Sequence, residues 1–181
     1  MYRILLLVTL TLQLTACTGV TPEPMKTVNQ LELSKFMGNW YVLADIATPF
    51  DKGARNPVEI YTRNADGTIA TTYRFQRGEK VREMHAKAYV MDDSNAVWGM
   101  QFFWPIKADY RVVYLDEDYN YCIVGRNKRD FIWIMSRTTE LEPGKFEELL
   151  QFAESLGYDR ERLRYHYVNE IEEKTALSDP V

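Results

Sequence analysis

Thiols and imidazoles are scarce in this 181-residue chain, which has two cysteines, Cys17 and Cys122, and two histidines, His85 and His166. So few thiols exclude a disulfide-built scaffold, and the fold must stand on an apolar core. The histidines fall in different predicted strands without an H-E-x-x-H pattern, and neither G-x-S-x-G nor a glycine-rich phosphate loop is present. Three successive carboxylates, Asp116-Glu117-Asp118, are packed too closely for a calcium loop and read as turn residues. Cys122 sits between Tyr121 and Ile123 in a predicted strand, the setting of a buried, inert thiol. No enzyme is expected, and no metal or cofactor is called for. Basic charge is short as well. The formal net charge is −4 with no run of like charges, so the stripe that a nucleic acid would need is missing. Long hydrophobic runs are also lacking. The stretch 4–14 is interrupted by Thr9, Thr11 and Gln13 and falls short of the ~20 apolar residues of a membrane span.

Aromatic residues, by contrast, are plentiful: twelve Tyr, eight Phe and four Trp. They fit a β-rich protein with aromatic pairs across strands, and equally one that lines an apolar cavity. The pattern along the chain favours strands. A short helical turn over Leu31, Leu33, Phe36 and Met37 leads into a first strand at 38–44. Further strands are predicted at 58–63, 68–76, 81–91, 96–103, 109–115, 119–125 and 130–137, separated by turns rich in Gly, Asn and Asp. Eight strands joined mostly by short loops are best satisfied by an all-β, up-and-down antiparallel barrel, because closure removes exposed edges. One amphipathic helix follows. Phe146, Leu149, Leu150, Ala153 and Leu156 form a single apolar stripe, with Pro143 at its start and Gly157 at its end. A short ninth strand at 163–168 precedes a charged tail over 169–181.

The amino terminus combines Arg3, the apolar stretch and the small residues Thr15 and Ala16 ahead of Cys17. An apolar core of this length fits the ~7–15 residues of a secretory signal. Leu14-Thr15-Ala16-Cys17 resembles the lipobox of bacterial lipoproteins. That resemblance implies a signal peptide over 1–16, a diacylglycerol on Cys17 and an acylated new amino terminus. Two acyl signals give the stable anchoring that one chain does not. Thr18 stands where inner-membrane retention would need Asp, so the resemblance implies an outer-membrane, periplasm-facing address. Residues 17–30, with two prolines, read as a lipidated tether, and 31–168 as the barrel domain.

Gly38-Asn39-Trp40-Tyr41, opening the first strand, resembles the G-x-W signature of the lipocalin family. Glu117-Asp118-Tyr119 resembles its T-D-Y motif with Glu for Thr, and Arg137 matches its third, arginine motif. Phe50-Asp51-Lys52-Gly53 and Lys87-Ala88-Tyr89-Val90 resemble segments of the bacterial outer-membrane lipoprotein group. The stretches 102–105 and 131–138 are similar to that group and to plant temperature-induced lipocalins. The resemblance implies that Gly38, Trp40, Asp118, Tyr119 and Arg137 plug the closed base, with Arg137 on the Trp40 ring. Ligand would then occupy the interior and the open end.

Strand alternation puts Trp40, Val42 and Ala44 on one, inward face. Candidate pocket residues are Ala44, Phe50, Tyr73, Tyr89, Trp98, Phe102, Tyr110, Val112, Phe131 and Trp133. The loop 48–57 would fold over the mouth with Phe50 as a lid contact. Lys52, Arg55, Arg74 or Lys107 would meet an anionic head group. The ligand implied is a fatty acid or lysophospholipid, stored or moved during envelope maintenance under stress. Homodimers occur in the bacterial group. The alternatives are a haem or tetrapyrrole carrier with His85 as axial ligand, and a structural envelope lipoprotein whose barrel is filled by its own side chains.

Overall fold

The computed structural model describes residues 23–167. Cys17, the leader and the charged tail lie outside the described residues. A short helix α1 (Leu33–Phe36) precedes β1 (Gly38–Asp45), β2 (Arg55–Arg63), β3 (Ile69–Arg77), β4 (Lys80–Val90), β5 (Val97–Phe103), β6 (Ile106–Leu115), β7 (Tyr121–Gly125) and β8 (Ile132–Ser136). Helix α2 (Lys145–Ser155) and a two-residue β9 (Arg164–Tyr165) follow. Each strand pairs antiparallel with the next, and β1 pairs with both β2 and β8, so the sheet closes into an eight-stranded barrel. β9 adds to β1 on the edge opposite β8, beyond the stretch that pairs with β2. Closure leaves two ends. The β1–β2, β3–β4, β5–β6 and β7–β8 connections gather at one, and α1 with the remaining turns at the other.

A bulge in β1 divides the core in two. Val42 pairs with Met135 and Ala44 with Ile134, so Leu43 is the extra residue on its strand. An extra residue reverses the side-chain alternation beyond it. Trp40 and Val42 therefore point into the barrel, whereas Ala44 turns outward beneath α2 and Asp45 takes the interior position. This corrects the simple alternation, which placed Ala44 inside.

Helix α2 buries Leu149, Leu150 and Ala153 against Ile123, Ile132 and Ile134 on the outer wall. It ends in a Schellman arrangement. The Gly157 N–H donates to Glu154 O at 2.8 Å and that of Tyr158 to Ala153 O at 3.2 Å, with Gly157 at φ +90°. Several expected bounds shift, including the start of β6, which is Ile106 rather than Asp109. The first loop is shorter than 48–57 because β2 begins at Arg55, α2 begins two residues after Pro143, and the last strand is confined to two residues among those described. Within the segment read as a tether, the residues from Met25 onward are laid along the barrel. Met25 is buried, and the Val28 N–H donates to Val112 O at 3.0 Å.

Candidate functional site

The closed end is an aromatic plug. Phe36 from α1 meets the rings of Trp40, Tyr61 and Trp98 at centroid distances of 5.0, 5.6 and 5.5 Å. Trp98 stacks on Tyr110 at 5.0 Å, and the Tyr61 and Tyr110 hydroxyls share a 2.6 Å hydrogen bond. Arg137 fastens the plug from outside. Its guanidinium lies 3.8 Å from the Trp40 ring and donates to the carbonyls of Asn39 (2.7 Å), Lys35 (2.6 Å) and Tyr119 (3.3 Å). A desolvated cation–π contact is worth about 2 kcal/mol. Gly38, at φ +94°, leaves Arg137 Nη1 just 3.5 Å from where a Cβ would stand. Tyr119 adopts φ +60°, and its hydroxyl accepts from the Glu32 N–H at 2.9 Å. Asp118 is exposed on the same turn, while its neighbour Asp116 caps it by accepting from the Tyr121 N–H.

Above the plug lies a cavity of about 530 Å3. Tyr110 forms part of its floor, and Met84, Met100, Ala108, Phe131 and Trp133 line its walls. Pro49 and Phe50 from the first loop, and Phe102, Phe103 and Ile106 around the β5–β6 turn, surround the mouth. The loop is held shut on itself, because the Asp51 carboxylate accepts from both the Thr48 N–H and hydroxyl at 2.6 Å. Arg77 then ties it to the β3–β4 turn by donating to Phe50 O at 3.0 Å.

Of the residues nominated from sequence, Phe50, Phe102, Tyr110, Phe131 and Trp133 border this cavity. Trp98 and Val112 lie in the packed plug beneath it. Two others are turned away. Ala44 is outside for the reason given above. Tyr89 occupies the outer phase of β4, with Lys107 Nζ 3.8 Å from its ring centroid and its hydroxyl donating to Gln101. Tyr73 is interior but committed elsewhere, since its hydroxyl donates to Asp51 Oδ2 at 3.1 Å. Among the nominated cations, Arg74 pairs with Glu83 at 2.7 Å and Arg55 donates to Gly78 O, while Lys52 is exposed. The cation on the cavity wall is Arg126, which pairs with Asp130 at 3.2 Å. His85 also borders the cavity, but its ring is largely exposed and hydrogen-bonded to Thr72 Oγ1 at 3.1 Å, so an axial-ligand role would require the ring to turn inward.

A closed aromatic base, a single mouth and an apolar interior within eight antiparallel strands bring the comparisons to a point. A family model for the lipocalin-like domain matches residues 31–167. The chain belongs to the lipocalin-like family. Outer membrane lipoprotein Blc of Vibrio cholerae is 30% identical over 167 residues, covering 90% of this chain and 97% of that protein. Temperature-induced lipocalin-1 of Arabidopsis thaliana is 30% identical over 151 residues, covering 78% of this chain and 81% of the plant protein. Among solved structures, insecticyanin from the tobacco hornworm Manduca sexta superposes with a TM-score of 0.62. It covers 78% of this chain and 83% of its own at 17% identity, a likeness of fold.

Within this lipocalin the sequence reading missed a buried polar cluster on the mouth side of the cavity. Arg164 from β9 grips Asp45 with two bonds, at 2.8 and 2.7 Å, and reaches Asp51 Oδ2 at 2.8 Å. His166 Nε2 lies 3.3 Å from Asp45 Oδ1. Burial pushes the Asp45 carboxyl upward, but the bonds from His166 and Arg164 outweigh it and hold the group below its ordinary range. Glu59 has no such partner among the described residues. It lines the cavity beside Tyr110 and Trp133, and burial, then the charges of Asp51 and Asp45, push its carboxyl up to about 8. It is therefore mostly a neutral acid at pH 7. Alternation makes Glu59 findable in principle, since it shares the inward face of β2 with Tyr61. The Asp45–Arg164 pair spans 119 residues, and no local pattern announces it. Cys122 is fully buried, and burial raises its thiol well above the ordinary range.

Proposed function

We propose that this lipocalin is a membrane-anchored carrier that takes the acyl chain of a fatty acid or lysophospholipid into its barrel. The observation that carries the reading is the cavity, closed below by aromatic rings, open above, and mostly apolar, with Thr48, Glu59, His85, Asp109 and Arg126 as its polar lining residues. Its volume falls within the ~300–1,000 Å3 of small-molecule sites. Ten methylenes buried at ~0.8 kcal/mol each contribute about 8 kcal/mol before ordering costs, enough for micromolar binding with few polar contacts. The acyl tail enters first. A carboxylate or phosphate driven to the floor would lose its hydration beside Glu59 and find no cation there, whereas at the rim Arg126 and solvent are available. The relatives named outer membrane lipoproteins support the lipid anchor on Cys17 and an outer-membrane, periplasm-facing address. Tethering keeps the mouth at high effective concentration near lipid. A carrier needs no catalytic group, and the one cysteine among the described residues is a shielded thiol.

Native mass spectrometry of the purified protein, followed by lipid extraction, tests the reading. One fatty acid or lysophospholipid per chain is expected. A chain that arrives empty and stays empty when lysophospholipid is added would overturn it and move the weight to a structural role.

A further inference from the structure

The two ends of the barrel differ in charge as well as in shape. The turns at the closed end, 64–68, 91–96 and 116–120, carry Asp66, Asp92, Asp93, Asp116, Glu117 and Asp118 and no base. The open end is the reverse. Lys52, Arg55, Arg77, Lys80, Arg82 and Lys107 are exposed around the first loop and the β3–β4 and β5–β6 turns, with Glu79 opposing them and Glu83 neutralised by Arg74. In a chain of net charge −4, that is a basic collar around one face.

Inside the collar stands an apolar tip. Phe103, Trp104 and Ile106 are 69, 85 and 72% exposed on the β5–β6 turn, and Phe50 is 64% exposed across the mouth from them. Large apolar side chains this exposed, clustered and rimmed by charge mark an interaction face. Tryptophan beside basic residues is the composition of a bilayer interface.

The chain also enters at this end. Glu23 O accepts from Arg129 Nη2 at 3.4 Å, and the Met25 N–H donates to Asn127 Oδ1 at 2.8 Å, both on the β7–β8 connection. Cys17 precedes Glu23 by six residues, a reach of at most about 20 Å. A chain fixed to lipid at Cys17 thus leaves the membrane at the mouth, not at the base.

We propose that the open end is a docking face for an anionic phospholipid bilayer, with the Phe103–Trp104–Ile106 tip set into the interface and the basic collar on the head groups. The mouth then opens directly onto the membrane, and an acyl chain passes between bilayer and cavity without crossing water. The proposal rests on the proposed function for its cargo and for the anchor at Cys17, while the apolar tip and basic collar carry the docking itself.

The full chain, produced in a bacterial host and reconstituted into phosphatidylethanolamine–phosphatidylglycerol vesicles with brominated acyl chains, tests it through tryptophan quenching. Wild type is expected to be quenched, and Trp104→Phe to lose most of that quenching, because Trp40 and Trp98 are sealed in the plug. A Phe103→Asp/Ile106→Asp variant, altered only at exposed positions, should leave Trp104 unquenched. A Lys80→Glu/Arg82→Glu variant should lose quenching severalfold on phosphatidylglycerol-containing vesicles. Quenching that survives in Trp104→Phe reports Trp133 and hence lipid inside the barrel, so docking and carriage are read separately. Equal quenching of wild type and Trp104→Phe would overturn the docking. So would a concentration-dependent blue shift of Trp104 without vesicles, which would give the face to a second copy of the chain.

Discussion

Replacing Glu59 by Gln should make this protein more stable at neutral pH. The carboxyl lies on the cavity wall, largely buried, with its pKa raised from an ordinary 4.5 to about 8 by burial and by the charges of Asp51 and Asp45. The folded chain therefore holds a proton that the unfolded chain releases. Stability from this group is complete below about 4.5, declines as pH rises, and levels off above about 8. At roughly 1.4 kcal/mol per pH unit, the climb from 4.5 to 7 removes about 3 kcal/mol, and water reaching the carboxyl through the cavity lowers that to about 2. The amide keeps the shape and has no proton to lose. Denaturant melts of wild type and Glu59→Gln at pH 5, 7 and 9 read the difference directly. The two proteins should be nearly equal at pH 5 and diverge by about 2 kcal/mol at pH 7, the variant being the more stable. A constant offset across that range would refute the titration argument.

Asp45 predicts the opposite slope. Its folded pKa is depressed, so its contribution is present above the unfolded value and is lost as pH falls through the folded one, and Asp45→Asn should flatten the acid limb of the melt. Because that substitution leaves Arg164 half-paired in a buried setting, it should also cost about 3 kcal/mol at pH 7, measured by the same melts. Arg137→Met should destabilise by about 2–4 kcal/mol through loss of the Trp40 contact and three carbonyl partners, with ligand affinity unchanged in a fluorescence titration. Gly157→Ala, at φ +90°, should lower stability by about 1 kcal/mol and leave binding alone. Cys122 should resist thiol reagents in the folded protein and react on unfolding, as quantified by mass spectrometry.

The barrel was legible because its determinants are local. Period-two alternation, Gly- and Asp-containing turns and the helix stripe each lie within a dozen residues, and closure follows from the need to hide edges. The pocket was legible only in part. Phe50, Phe102 and Trp133 sit where alternation and loop position put them, but Leu43 reverses the phase of β1 and carries Ala44 out. Nothing local to that apolar run marks the bulge, because Val42, Leu43 and Ala44 are all buried on one side or the other. Tyr89 fails for a related reason, since an aromatic ring on a strand serves the outer face as well as the inner. Asp45, Asp51, Arg164 and His166 become a cluster only through contacts across more than a hundred residues. Their individual positions carry no sign of it beyond an acid at the end of an apolar strand.

The account stands or falls on an acyl chain occupying the cavity, and titration of the protein with a brominated fatty acid tests this most directly. In the Trp104→Phe background, which removes the exposed reporter, the titration reads Trp133 on the cavity wall, whereas Trp40 and Trp98 are sealed beneath it. Saturable quenching at one fatty acid per chain, abolished when Ala108→Phe fills the wall without adding a fluorophore, is the predicted result. Quenching that never saturates, or that survives unchanged in the filled barrel, would contradict the account.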